Sequence, residues 1–316
     1  MRQLIKINFS DFWKSFDKND NYFTRLLSPY YDLEISDDPD FLIYSCYDEN
    51  GRLHWGQESR RSAAKVFKKH KCIRIFYTSE NVRPDFKQCD YAFSYDYIDS
   101  PNHYRLPFYG FYEPKHKLPF VGVDDVHPLV KDEDFDWEKV ASEKTKFCNF
   151  VYSNRHAKNR EVFFEKLSKY KKVDSGGKRL NNIGKPVDDK LSFISQYKFT
   201  IAFENFSRPG YTTEKIYQPM LVNSLPIYWG NPLIDKDFNP KSFLNYYDFE
   251  NEEELIERIV EIDRNDDLYL EYLKQPYFAG NRVNPFIDAS NVLKQFDYIF
   301  NNEKVPVAQK KLFVFF

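Results

Sequence analysis

The sequence predicts an α/β protein of two Rossmann-like domains facing one another across a cleft. Three observations carry that prediction. Short β-rich runs alternate with helical patterns, the signature of parallel sheets covered by helices. The alternation runs through twice, separated by a Pro- and acid-rich stretch at 114–143 in which periodicity fades. A chain of 316 residues is about twice an ordinary domain length. The expected domains are 1–143 and 144–316, with the final helix a candidate to return to the first.

Each element has its reason. In the first series, residues 4–8, 41–46, 72–77 and 91–94 read as strands, and 58–70 as a helix between two of them. In the second, 146–153 is a strand closing in the turn-forming pair Ser153-Asn154. Phe163, Leu167 and Tyr170 then recur at i, i+4 and i+7, one face of a helix. Residues 199–203 form a buried strand, 213–223 a helix and 225–229 another strand. Asn251 is an N-cap followed by Glu252, Glu253 and Glu254, where the helix dipole favours negative charge. Leu255, Ile259 and Ile262 give that helix its buried face. Val292, Phe296 and Ile299 do the same for the last helix, 289–301.

Composition excludes several function classes. With 30% charged residues the chain is not membrane-embedded, and no apolar run approaches the ~18–20 residues that span a bilayer. The N-terminal stretch lacks the apolar core and cleavage site of a signal peptide, so a cytoplasmic protein is expected. The basic-apolar end 310–316 offers only weak peripheral contact with the inner face of a membrane. The net charge of −2 is interspersed without a basic stripe, which argues against nucleic acid as a partner. Cys46, Cys72, Cys89 and Cys148 are scattered and read as reduced thiols. The 6 histidines show no metal spacing. Asp134-Phe135-Asp136 imitates a metal-binding D-x-D, but its acidic surroundings read as a solvated charge run. The 19% aromatic content mostly fills cores and leaves rings to stack on sugars.

The informative segment runs from Phe203-Glu204-Asn205 through Gly210-Tyr211-Thr212-Thr213-Glu214-Lys215, off a buried strand and into a helix. A strand end meeting a helix N-terminus is where open α/β sheets bind ligands, and its unpaired N–H groups suit phosphate. Lys215 adds a point charge, and Glu214 is able to accept two sugar hydroxyls. From spacing alone, a plain helix start explains Thr213-Glu214 equally well. Upstream, the strand end Phe150-Val151-Tyr152-Ser153-Asn154 leads to Arg160, either a second phosphate grip or a solvated helix residue.

These residues resemble the α-1,3-fucosyltransferases of glycosyltransferase family 10, especially the bacterial Helicobacter type. The resemblance rests on Phe150-Val151-x-Ser153-Asn154 with Arg160, Ser195-Gln196-Tyr197-Lys198-Phe199, Phe203-Glu204-Asn205 and Tyr211-x-Thr213-Glu214-Lys215-Ile216. Pro226-Ile227-Tyr228-Trp229-Gly230 and the run from Lys236 to Phe243 extend it. Phe76-Tyr77-Thr78-Ser79-Glu80-Asn81, Asp90-Tyr91-Ala92 and Arg105-Leu106-Pro107 carry it into the first half, so that it covers roughly 72–249.

The resemblance implies a GT-B-like fold, with an acceptor domain first and a GDP-fucose domain second. It implies inverting transfer of L-fucose from GDP-fucose to the N-acetylglucosamine of a lactosamine-type glycan, α-1,3 in linkage. No metal cofactor is required on this reading, though Mn²⁺ is free to stimulate. Carried over, Arg160 and Lys215 hold the diphosphate, Asn205, Tyr211 and Glu214 contact nucleotide and fucose, and Glu80 is the general base. Pro219 interrupts the donor-site helix and should kink it. Thr212 stands where the family commonly has Val. The competing functions are α-1,4 linkage or another GDP-sugar on the same fold, and more distantly a lectin or a glycoside hydrolase.

Overall fold

The structure, a computed structural model, describes residues 2–48, 66–111, 118–153 and 158–310. The helix expected at 58–70 lies outside them except for a 3-10 turn at Val66–Lys69. Asn154 and residues 311–316 also lie outside them. The chain forms two compact units, Met1–Asp125 with Pro285–Phe316, and Val126–Asn284.

The first unit carries β1 (Leu4–Ser10), α1 (Tyr22–Leu27), β2 (Asp32–Ile35), β3 (Phe41–Tyr44), β4 (Ile73–Tyr77), β5 (Tyr91–Ser94) and β6 (His103–Arg105). They form a six-stranded parallel sheet in the order β2-β1-β3-β4-β5-β6. All five residues of β4 are buried, as a central parallel strand requires. Asn21 caps α1 by accepting the N–H groups of Phe23 and Thr24, while the Thr24 hydroxyl accepts from the Asn21 N–H. The C-terminal helix (Ala289–Asn301) lies in this unit, where Phe296 stacks on Phe93 at 4.7 Å between ring centroids. Because β1 sits between β2 and β3, the strand order reverses there. The carboxyl ends of β1 and β3 therefore flank the crevice in which such sheets take ligands.

The second unit carries α2 (Trp137–Glu143), β7 (Lys146–Phe150), α3 (Lys158–Ser168), β8 (Val173–Ser175), α4 (Lys190–Ile194), β9 (Tyr197–Phe203), α5 (Glu214–Leu221), β10 (Leu225–Trp229), β11 (Leu244–Asn245), α6 (Glu252–Arg264) and α7 (Asp266–Lys274). Its sheet is parallel, in the order β11-β10-β9-β7-β8, so that its reversal lies between β7 and β9. The stretch expected to be a connection up to residue 143 holds α2, and Trp137 joins the core of this unit with Phe147, Leu255, Ile259 and Ile262. That helix has 7 residues and buries only Trp137, too little to display a helical period. Helix α5 runs through Pro219, whose carbonyl accepts the N–H groups of Val222 and Ser224 as the helix closes. All four cysteines are free thiols. Among the described residues no helix is long and apolar enough to cross a membrane.

Candidate active site

In the second unit, chemistry-bearing side chains gather where β7 and β9 end. Arg160 comes from α3, the helix after β7, and Glu204 and Asn205 follow the last residue of β9. The Arg160 Nε donates to the Glu204 carbonyl at 3.1 Å and its Nη2 donates to Asn205 Oδ1 at 2.7 Å. Arg160 is only 1% exposed, so these bonds replace water around a buried guanidinium. Burial pulls its pKa down while Glu204, Tyr211 and Glu214 oppose the shift. A guanidinium stays charged under such conditions.

The Glu204 carboxylate is wholly buried. It accepts the Thr213 N–H at 2.7 Å and the Thr213 hydroxyl at 2.8–2.9 Å. Lys215 Nζ lies 3.2 Å from Glu204 Oε2 and 3.5 Å from Glu214 Oε1, and donates to Thr213 Oγ1 at 2.9 Å. Burial pushes the Glu204 carboxyl up despite Lys215. Burial alone would pull Lys215 down, but the two carboxylates outweigh it and hold its pKa above the ordinary lysine value. Thr213 is also the N-cap of α5, so one residue joins the buried carboxylate to the helix N-terminus.

The sequence fixes this loop through small and amide residues. A Cβ on Gly230, directly after β10, would fall 2.4 Å from Glu204 Cγ, so only glycine leaves room for the carboxylate. Gly210, at φ 83, donates its N–H to Asn231 Oδ1 at 2.7 Å. Asn231 Nδ2 donates to Thr212 Oγ1 at 3.0 Å and to Asp237 Oδ2 at 3.2 Å. The Thr212 hydroxyl donates to Asp237 Oδ2 at 2.6 Å.

Arg160, Asn205, Tyr211, Glu214 and Lys215, singled out from the sequence, thus lie around one loop and one helix start. Tyr211 is buried and interacts electrostatically with Arg160. Three further residues belong with them. Glu204 and Thr213 bind the loop to the helix. Lys190, the half-buried first residue of α4, interacts electrostatically with Glu214, Lys215, Glu204 and Arg160. Burial brings its pKa down to about 8. Nothing in the sequence signals Lys190, whereas Glu204 stands inside the Phe203-Glu204-Asn205 run. Three cations against two carboxylates, with a helix N-terminus beside them, make a site for an anion.

Glu80 lies in the first unit, three residues beyond the carboxyl end of β4. Its N–H donates to Thr78 Oγ1 at 3.0 Å, and the Thr78 hydroxyl donates back to the Glu80 carbonyl at 3.1 Å. Its Oε1 accepts the Tyr47 hydroxyl at 3.1 Å. Asp136 caps α2 by accepting the Lys139 N–H, and the Asp134 backbone N–H donates to Asp132 Oδ1. Among the described residues no cluster of three or more His, Cys, Asp or Glu side chains is placed to hold a metal ion.

Comparison with known proteins bears on both units. Residues 141–279 match the model of the C-terminal part of glycosyltransferase family 10 (fucosyltransferase), and residues 7–112 match that of the α-(1,3)-fucosyltransferase FucT N-terminal domain. The chain is 32% identical to the α-(1,3)-fucosyltransferase FucT of Helicobacter pylori over 99% of its own length. It spans 65% of that relative. A crystal structure of an α1,3-fucosyltransferase superposes with a TM-score of 0.77 at 26% identity, covering 99% of this chain and 94% of the other. Another, with GDP-fucose bound, gives 0.73 at 27% identity, covering 96% and 93%.

Proposed function

The chain belongs to glycosyltransferase family 10, and on that premise we propose that it transfers L-fucose from GDP-fucose to the N-acetylglucosamine of a lactosamine-type glycan. The bond formed is α-1,3 and the anomeric configuration inverts. The observation that carries the reading is the buried Arg160, paired with Asn205, beside Lys215 at the start of α5, inside the stretch matched by the fucosyltransferase model.

In this reaction the acceptor hydroxyl attacks the anomeric carbon of fucose as the bond to the β-phosphate oxygen breaks. The bonding pair leaves with GDP, and the hydroxyl proton passes to Glu80. Negative charge grows on the diphosphate as the transition state forms. Arg160, Lys215, Lys190 and the α5 N-terminus are the groups we assign to stabilise it, which lets the transfer proceed without a metal cofactor. Mn²⁺ would act only as a stimulant. Glu214, Tyr211 and Asn205 are assigned to the sugar and nucleotide. A peripheral membrane contact forms no part of this reading. The free cysteines suit a reducing compartment such as the cytoplasm.

A donor panel tests the proposal. Offered GDP-fucose, GDP-mannose and UDP-galactose with N-acetyllactosamine, the protein should release GDP only from GDP-fucose and only with the acceptor present. Preferential turnover of GDP-mannose, fucose release without acceptor, or glycan binding without turnover would each replace it with one of the competing functions.

A further inference from the structure

The crevice of the first sheet is bordered by the segments that follow β1 and β3, and Tyr47 comes from the second of these. Its position is set three times over. Its N–H donates to the Asp11 carbonyl at 3.0 Å, tying it to the segment after β1. Its ring belongs to the buried cluster of Tyr44, Cys46, Phe67 and Phe76. Trp13 packs edge-on against that ring at 5.8 Å between centroids. Asp11 is in turn fixed, because its Oδ2 accepts the Phe67 N–H at 3.0 Å. The one group the Tyr47 side chain has to offer, its hydroxyl, donates to Glu80 Oε1 at 3.1 Å.

We propose that Tyr47 is the positioning residue of the general base: its hydroxyl fixes the rotamer of the Glu80 carboxylate for proton transfer from the acceptor. The inference rests on the assignment of Glu80 as base made above. Glu80 has three side-chain torsions and a half-buried setting, so each fixed partner narrows the orientations its carboxylate can sample. The Thr78 bracket holds only the Glu80 backbone. Tyr47 supplies a constraint on the carboxylate itself, and a well-aimed reacting group is worth orders of magnitude in rate. Burial raises the Tyr47 hydroxyl well above its ordinary pKa, with Glu80 adding to the shift, so it remains a donor throughout the working pH range. A neutral donor of this kind aims the base without taking its proton.

A double-mutant cycle on the full chain tests this, with Tyr47→Phe, Glu80→Gln and the pair. Tyr47→Phe keeps the ring and its packing, so the melting temperature should hold. Its kcat should fall by about 10-fold, with both KM values and GDP affinity unchanged. In the Glu80→Gln background the same substitution should change kcat by less than about 2-fold, because no base remains to be aimed. If Glu80→Gln abolishes transfer but Tyr47→Phe is silent, or costs as much in either background, the positioning role is overturned while the base assignment stands. A fall in kcat that accompanies a lower melting temperature in both backgrounds means a packing role and also overturns it. If Glu80→Gln itself keeps near-full transfer, the base assignment fails and takes this inference with it.

Discussion

Arg160 is a cation held out of water by a backbone carbonyl and an amide side chain, at 3.1 and 2.7 Å. Neither hydrogen-bond partner carries a charge, although Glu204 and Glu214 act on it electrostatically. Lys215 is different, for it lies between Glu204 and Glu214 and must be drawn from them by a phosphate. Arg160→Ala and Lys215→Ala should each lower turnover by at least ~10²-fold. Both should weaken GDP binding measured by calorimetry, and Arg160→Lys should not restore it because an ammonium cannot reach both partners in a planar fork. Near-full activity in either alanine variant contradicts its assignment. Glu214 and Lys215 are legible as a strand end meeting a helix start, and Arg160 more weakly after the preceding strand, whereas Asn205 and Tyr211 stand out only through the family resemblance. Glu204 is harder to read, since a carboxylate at a strand end looks solvated until the fold buries it. Lys190 is not legible at all, because only the folding of α4 brings it to the others.

The element that matters most is the connection from β9 to α5, and its shape depends on β10 next to it. Gly230 leaves the space that Glu204 occupies, and Asn231 holds Gly210 and Thr212. Gly230→Ala should therefore cost ~1–3 kcal/mol in stability by overpacking. It should also weaken GDP binding by displacing Glu204 from Thr213. Thermal unfolding with and without GDP measures both effects. An alanine variant that melts like the parent and gains the same stabilisation from GDP contradicts this account of the loop. Strands such as β4, β9 and β10 are readable because their hydrophobic runs are long enough to stand out. By contrast β6, β8 and β11 have 3, 3 and 2 residues, too few for a period to show, and β2 has 4 residues none of which is buried. The break in periodicity at 114–143 hides α2 for the same reason.

At the scale of the molecule, two parallel sheets each reverse strand order once, and each reversal carries one set of candidate residues. Tyr47 leaves β3 at the first reversal with Glu80 just beyond neighbouring β4, and Arg160, Glu204 and Asn205 lie at the second. The repeated α/β alternation makes the two sheets legible in the sequence. The limits of the units are less so: the boundary falls at Asp125–Val126 rather than at 143, while Pro285–Phe316, whose helix is the candidate to return, belongs with the N-terminal unit through packing such as Phe296 on Phe93. Contacts between residues so far apart in sequence leave no local pattern. The proposed chemistry needs both sets of residues, one for the donor's diphosphate and one for the acceptor's proton. The central claim is tested most directly by NMR of the product formed from GDP-fucose and N-acetyllactosamine in excess EDTA. The account predicts a single new α-fucosyl residue, 1,3-linked to N-acetylglucosamine and inverted relative to the donor. A retained configuration, a different linkage, or no product until metal is restored would contradict it.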